Sequence, residues 1–321
     1  MKHFDFNRRP AAQMRMQYAV ELGGEPFNLE YTLESGQVFR WEKKGEWWYG
    51  PVDGGLLKVK QDRDSLYCES NIDGLDASFV RRFFRLDEDL KGIIGTFMKG
   101  KVMTGAVQRF YGLRLIRQER WECLASFVLA TNSNIPSIRR MIANVCEGFG
   151  EPFLYEGLQY RRFPSAEKIA EAPLQSLAEC GLGYRAPFLK RVAEAIHEGR
   201  LELSELALLD YPDAKELLLK KLLGAKLLLG VGPKVADCFL LFSCDKDEAF
   251  PIDVWVARAL THYYPRLLEM NTTKRLASKS TRSLSGSLYA SISSRARSHF
   301  GKYAGYAQQY LFMLARTNGV S

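Results

Sequence analysis

The hydrophobic period of this chain changes near Glu119, and that change limits its fold more than any other feature. Before it lie short runs of β-branched, aromatic and alternating residues: Phe27–Leu33, Gly36–Trp41, Glu46–Tyr49, Leu56–Lys60 and Ser65–Glu69. Gly23-Gly24, Lys44-Gly45 and Asp53-Gly54-Gly55 punctuate them, so a twisted antiparallel sheet is expected, followed by helices around Asp76–Phe84 and Leu90–Phe97. After Glu119 the apolar spacing becomes helical at Trp121–Leu129, Ile135–Phe149, Ser165–Leu177, Ala186–Glu198 and Ala214–Lys226. The expectation is an α+β chain: a β-rich N-terminal domain over 1–118 and an all-helical domain over 119–321.

Charge narrows the partner. The formal net charge is +8, which favours a polyanion such as nucleic acid without requiring one. No apolar run approaches the ~20 residues that cross a bilayer, and the opening MKHFDFNRRPAAQ has no apolar core of a secretion signal. The six cysteines (68, 123, 146, 180, 238 and 244) form no CxxC and no zinc or iron–sulfur spacing, so buried free thiols and no metal are expected. Residues 271–297, rich in Ser, Thr, Lys and Arg, read as a basic loop or as partly helical.

The most informative stretch is Leu228-Leu229-Gly230-Val231-Gly232-Pro233-Lys234-Val235-Ala236-Asp237-Cys238. Two glycines one residue apart permit a tight hairpin that another molecule can approach closely. Pro233 suits the first turn of the next helix. Together they predict a helix-hairpin-helix at about 214–242, whose main-chain N–H groups hold a DNA phosphate; a plain helix connector is the alternative. Lys234 falls in the first helical turn, where the macrodipole and burial both disfavour a cation and so favour a neutral, nucleophilic amine. A phosphate-binding lysine is the alternative. Nineteen positions on, Asp253 in Phe250-Pro251-Ile252-Asp253-Val254-Trp255 is placed to cap a helix, and its carboxylate is equally suited to stabilise positive charge on a sugar.

GVGPKVADC together with PIDV resembles the 8-oxoguanine DNA glycosylases of the helix-hairpin-helix superfamily, from about Phe27 to Arg316, with weaker matching at 55–115 and 261–300. Ser35-Gly36-Gln37-Val38-Phe39-Arg40-Trp41 is similar to the family's SGQ-x-FRW block, which implies that the Gly36 carbonyl accepts the N7–H that oxidised guanine has and guanine lacks. Thr131-Asn132-Ser133-Asn134 resembles the turn whose first Asn fills the space left by the flipped base, implying that role for Asn132. Gly181-Leu182-Gly183-Tyr184-Arg185-Ala186 resembles the loop that wedges the stack with Tyr184 and meets the estranged cytosine with Arg185. Gln308 and Phe312, four apart in the last helix (about 302–316), would read the base edge and stack on its ring, with Cys238 against the other side. Without the resemblance, Tyr184 and Phe312 read as core residues and Asn132 as a helix cap.

Four departures accompany the resemblance. Ser133 replaces a middle Asn, Leu229 replaces a hairpin Pro, and Ser137 stands where eukaryotic members have an Arg on the orphaned cytosine. Trp255 replaces a phosphate-side His and would donate through its indole N–H. The pattern is closer to bacterial than to eukaryotic members.

The implied activity is excision of 8-oxoguanine and formamidopyrimidine guanine from duplex DNA by base flipping and lysine Schiff-base chemistry, followed by AP-lyase β-elimination. Lys234 and Asp253 are the catalytic pair; Gly36, Cys238, Gln308 and Phe312 bind the base; Asn132, Tyr184, Arg185, Gly230, Gly232 and Trp255 bind DNA. No cofactor is implied. The expected state is a monomer, in nucleoid-associated cytoplasm if bacterial and in the nucleus if eukaryotic. The alternatives are a monofunctional alkylated-purine glycosylase, which would need Asp253 but not Lys234, and a non-catalytic helix-hairpin-helix DNA-binding protein.

Overall fold

The computed structural model describes residues 16–52, 54–72, 74–223, 232–268 and 286–319. Strands β1 (Met16–Glu21), β2 (Glu42–Lys44), β3 (Trp47–Val52), β4 (Gly55–Asp62) and β5 (Ser65–Ser70) form one antiparallel sheet in the order β1-β5-β4-β3-β2. Strand β4 is central, and its side chains are covered on both faces. Val59 pairs with Trp48 and Cys68 in the sheet core. Lys58, on the opposite face, is enclosed because its ammonium meets Glu69 at 3.2 Å and Glu156 at 3.1 Å.

Fifteen α-helices are seen among the described residues, beside four short 3-10 or π turns. They are α1 (Leu29–Glu34), α2 (Ala77–Phe83), α3 (Leu90–Phe97), α4 (Gly100–Arg109), α5 (Arg120–Leu129), α6 (Ile135–Phe149), α7 (Ala166–Glu171), α8 (Leu174–Leu177), α9 (Ala186–His197), α10 (Leu203–Leu208), α11 (Tyr211–Leu223), α12 (Pro233–Ser243), α13 (Val254–Tyr263), α14 (Gly286–Phe300) and α15 (Ala304–Asn318). None is long and apolar enough to cross a membrane. The basic 271–297 segment is helical from Gly286 onward; its earlier part, 271–285, lies outside the described residues.

Three local readings differ from expectation. Phe27–Leu33 forms helix α1 rather than a strand, because Asn28 caps it by accepting the Tyr31 N–H at 2.8 Å. Gly36–Trp41, expected as a strand, is a turn. Ser165–Leu177 divides into α7 and α8 at Ala172, which is extended before Pro173 as the proline ring requires. The helical part also carries one hairpin, β6 (Pro152–Tyr155) with β7 (Leu158–Arg161). Its two turn residues, Glu156 and Gly157, are both left-handed (φ 52° and 74°), the conformation that matches strand twist.

The apolar residues gather into two cores. One lies on the sheet and holds Trp41, Trp48, Phe83 and Phe84. The other joins the helices, and α3 and α4 contribute to it through Ile93, Phe97, Met103 and Val107. Helix α15 runs through it, buried from Ala304 to Ala315. Gly305 lets α15 come close to α12: a Cβ there would stand 2.2 Å from Leu241 Cδ1 and 2.9 Å from the Asp247 carbonyl oxygen. The Gly305 N–H also donates to that carbonyl at 2.7 Å. This contact fixes the helix bearing Gln308 and Phe312 against the helix bearing Lys234 and Cys238.

Candidate active site

Helix α12 begins at Pro233 with Gly232 as its cap, so Lys234 lies in the first turn as the sequence predicts. Gly232 itself is extended (φ −85°), and a Cβ there would meet nothing within 4 Å. Among the described residues, no neighbour demands a glycine at that position. Gly230 and the rest of the expected hairpin turn, 224–231, lie outside the described residues.

Lys234 is half-buried, with its Nζ 4.9 Å from the centre of the Phe127 ring. Cys238 follows one turn further along the same helix, where the Lys234 charge acts on its thiol. Burial pushes the Cys238 thiol up to about 12, against the opposing pull of the Lys234 charge, so the group is a neutral thiol near pH 7.

Asp253 caps α13 by accepting the Val256 N–H at 2.8 Å. Its carboxyl is raised from the ordinary aspartate value by burial; the Val256 N–H, the Lys234 charge and the Trp255 N–H act in the opposite direction. The expected cap is therefore real, and it does not exclude chemistry: the capped carboxylate is also the one that feels Lys234. Trp255, two residues on, lies under the Arg258 guanidinium at 5.1 Å.

Gly36 is brought to Phe312 from the other end of the chain. Its φ is +76°, and a Cβ would stand 3.2 Å from Phe312 Cζ and 3.6 Å from Ile135 Cδ1. Backbone conformation and space thus both favour glycine here. Gln308, one turn before Phe312 on α15, is buried and accepts from the Gln309 side chain at 2.9 Å.

Asn132, Tyr184 and Arg185 also meet, across some fifty residues of sequence. Asn132 is exposed and left-handed (φ 49°). Arg185 donates from Nε to the Thr131 carbonyl at 2.8 Å and from Nη2 to that of Asn132 at 3.0 Å. Its guanidinium lies 4.5 Å from the Tyr184 ring centre, and the Tyr184 hydroxyl donates to the Thr131 carbonyl at 3.2 Å. Ser137 lies in the first turn of the next helix, where its N–H is capped by Asn134.

Sequence reasoning passed over Gln37. It is fully buried, donating to the Arg114 carbonyl at 2.8 Å and to Ser35 Oγ at 2.7 Å, while its Oε1 accepts the Ile116 N–H at 2.9 Å. These bonds pin the turn that contains Gly36. Asp237, also fully buried, was equally unread.

A cleft of about 380 Å³ lies between the sheet side and the helices, lined by Phe39, Arg40, Trp41, Arg117 and Ser126 among others. None of the expected site residues lines it. Among the described residues, the group able to hold a metal ion is the exposed Glu167, Glu171 and His197, and it shares no residue with the site above.

Comparison with known proteins accords with this geometry. A family model described as the N-terminal domain of 8-oxoguanine DNA glycosylase matches residues 19–124, and the helix-hairpin-helix base-excision DNA-repair superfamily model matches 125–284. A probable N-glycosylase/DNA lyase of Methanothermobacter thermautotrophicus is 31% identical over 92% of this chain and 95% of its own length. The chain belongs to the 8-oxoguanine DNA glycosylase family. It is a base-excision-repair DNA glycosylase and lyase.

Among solved structures, the 8-oxoguanine glycosylase/lyase of Clostridium acetobutylicum, in complex with double-stranded DNA containing cytosine opposite 8-oxoguanine, superposes with a TM-score of 0.78 at 30% identity. That match covers 96% of this chain and 99% of the other. A 3-methyladenine DNA glycosylase of Archaeoglobus fulgidus has a TM-score of 0.71 at 20% identity, covering 95% and 100%, a likeness of fold alone. The family membership leaves a purely DNA-binding role aside.

Proposed function

We propose that this glycosylase/lyase removes 8-oxoguanine, and formamidopyrimidine guanine, from duplex DNA with Lys234 as nucleophile. The observation that carries the reading is the place of Lys234 in the first turn of α12, one turn before Cys238 and near enough to the buried Asp253 carboxyl for its charge to act there, on a helix that the helix of Phe312 approaches closely at Gly305. In this reading the damaged nucleotide is flipped out, Asn132 and Tyr184 fill the gap, and Arg185 meets the estranged cytosine. Phe312 and Cys238 take the two faces of the base, Gln308 its pairing edge, and the Gly36 carbonyl its N7–H. Gly230, Gly232 and the Trp255 indole N–H hold phosphates.

The Lys234 nitrogen then bonds to C1′ as the C1′–N9 bond breaks, and the departing base takes up a proton. The Asp253 carboxylate stabilises the positive charge that develops on the sugar. Proton loss from the new amine and opening of the sugar ring give a Schiff base. Removal of a C2′ proton then expels the 3′ phosphate. The chemistry asks nothing of a second copy of the chain, which supports action as a monomer, in the nucleoid or the nucleus according to the source.

The test is single-turnover excision from four duplexes carrying 8-oxoguanine opposite each base. We expect release from all four, with opposite-base preference weaker than in relatives that carry Arg where Ser137 stands. No release from any duplex contradicts the substrate assignment, and strict dependence on cytosine contradicts the reading of Ser137.

A further inference from the structure

The buried carboxylate of Asp237 has no place in the chemistry above, yet it follows Lys234 by three residues and directly precedes Cys238. Each of its oxygens is engaged. Oδ1 meets the Lys215 ammonium at 2.8 Å and accepts from the Tyr211 hydroxyl at 2.8 Å; Oδ2 accepts from the Tyr289 hydroxyl at 2.7 Å. Lys215 in turn donates to the Tyr211 oxygen at 2.9 Å. Lys215 and Tyr211 belong to α11, Asp237 to α12 and Tyr289 to α14, so one carboxylate joins three helices.

The link that matters for catalysis leaves through Tyr289. A hydroxyl has one proton, and at 2.7 Å it is directed to Asp237, which frees a lone pair for the Ile252 N–H at 3.2 Å. Ile252 is buried and immediately precedes Asp253. The chain of bonds therefore runs from the helix of Lys234, through Asp237 and Tyr289, to the backbone beside Asp253. Asp253 is itself fixed on its other side by the Val256 N–H.

We propose that Asp237 and Tyr289 are positioning residues that hold the Asp253 carboxylate in register with the Lys234 amine. The proposal rests on the catalytic reading of Lys234 and Asp253. Loss of the Tyr289 hydroxyl leaves the buried Ile252 N–H without its acceptor and frees the Pro251–Asp253 segment to shift. A carboxylate displaced by about 1 Å loses much of its grip on a developing charge.

The experiment is a double-mutant cycle on the full chain, reading single-turnover base release from an 8-oxoguanine duplex, with DNA affinity and Tm measured alongside. Tyr289→Phe is expected to slow release about tenfold, with DNA Kd within roughly twofold of the parent. In an Asp253→Asn background the same change is expected to alter the rate less than roughly twofold, because its effect passes through that carboxylate. Asp237→Asn, run in parallel, carries the same expectation and serves if Tyr289→Phe folds poorly. Equal slowing in both backgrounds overturns the proposal by making the network ordinary core support, as does a wild-type rate in both single variants. An Asp253→Asn protein that excises at the wild-type rate overturns the catalytic reading and the proposal with it.

Discussion

The two regions that we assign to the same reaction are built in opposite ways. Around Lys234, the functional groups are buried or half-buried on helices, and their neighbours are themselves fixed: Cys238 by α12, Asp253 by its cap, Phe312 by the close contact at Gly305. Around Asn132 and Tyr184, the groups stand at the surface, Asn132 with a left-handed backbone and Tyr184 in a short 3-10 turn, joined by one arginine that binds two carbonyls. Tyr184 is 49% exposed, whereas Phe312 is 7% exposed. The difference separates two tasks. Chemistry needs preorganisation in a region of low polarity, and DNA distortion needs side chains free to enter the stack.

If that division is right, variants in the first region change rate at constant affinity, and those in the second change affinity first. Short of removing the Lys234 amine itself, the largest effect expected is from Asp253→Asn, which should slow single-turnover base release about 100-fold with little change in DNA binding. The pH profile sharpens this. In this account the reaction uses the ionised carboxylate, and burial raises Asp253 above its ordinary value, so the rate should fall with decreasing pH through a limb that lies above the usual aspartate range. That limb should vanish in Asp253→Asn; its persistence would assign it to another group.

Gly36→Ala comes next. A Cβ at φ +76° is strained by about 1–2 kcal/mol and presses on Phe312 at 3.2 Å, so excision should fall about tenfold or more while undamaged-DNA affinity holds. Unchanged kinetics would mean that this backbone does not touch the base. Tyr184→Ala is expected to be smallest on rate: stacking of about 1–3 kcal/mol should appear as roughly tenfold weaker binding of lesion duplex, with the rate of the bound complex altered less than roughly threefold. A rate loss exceeding the affinity loss would break the division between regions.

The helical half was the more legible from sequence, because its apolar spacing and caps are local signals. Pro233 at the start of α12 and Asp253 ahead of α13 are where those signals put them. The Phe27–Trp41 segment misled, since its aromatic and β-branched residues suit a strand, whereas a single Asn28 side chain and the bonds of Gln37 to residues 114–116 set a helix and a turn. The β6–β7 hairpin carries Glu-Gly rather than the Asn-Gly that marks such turns, so it did not stand out. In the proposed site, the places of Lys234 in a first helical turn and Asp253 at a helix cap were legible locally, while the pairing of Gly36 with Phe312 joins residues 276 apart and came only from family resemblance. Gln37 and Asp237 escaped because a buried polar residue declares itself only when its partners are known.

The central claim concerns one nitrogen. Borohydride added during turnover of an 8-oxoguanine duplex reduces a lysine Schiff base to a stable protein–DNA adduct, whose attachment peptide mass spectrometry can identify. The account predicts an adduct at Lys234, and a Lys234→Gln protein that still binds the duplex yet releases no base and forms no adduct. An adduct at another residue, or full base release by Lys234→Gln, would contradict it.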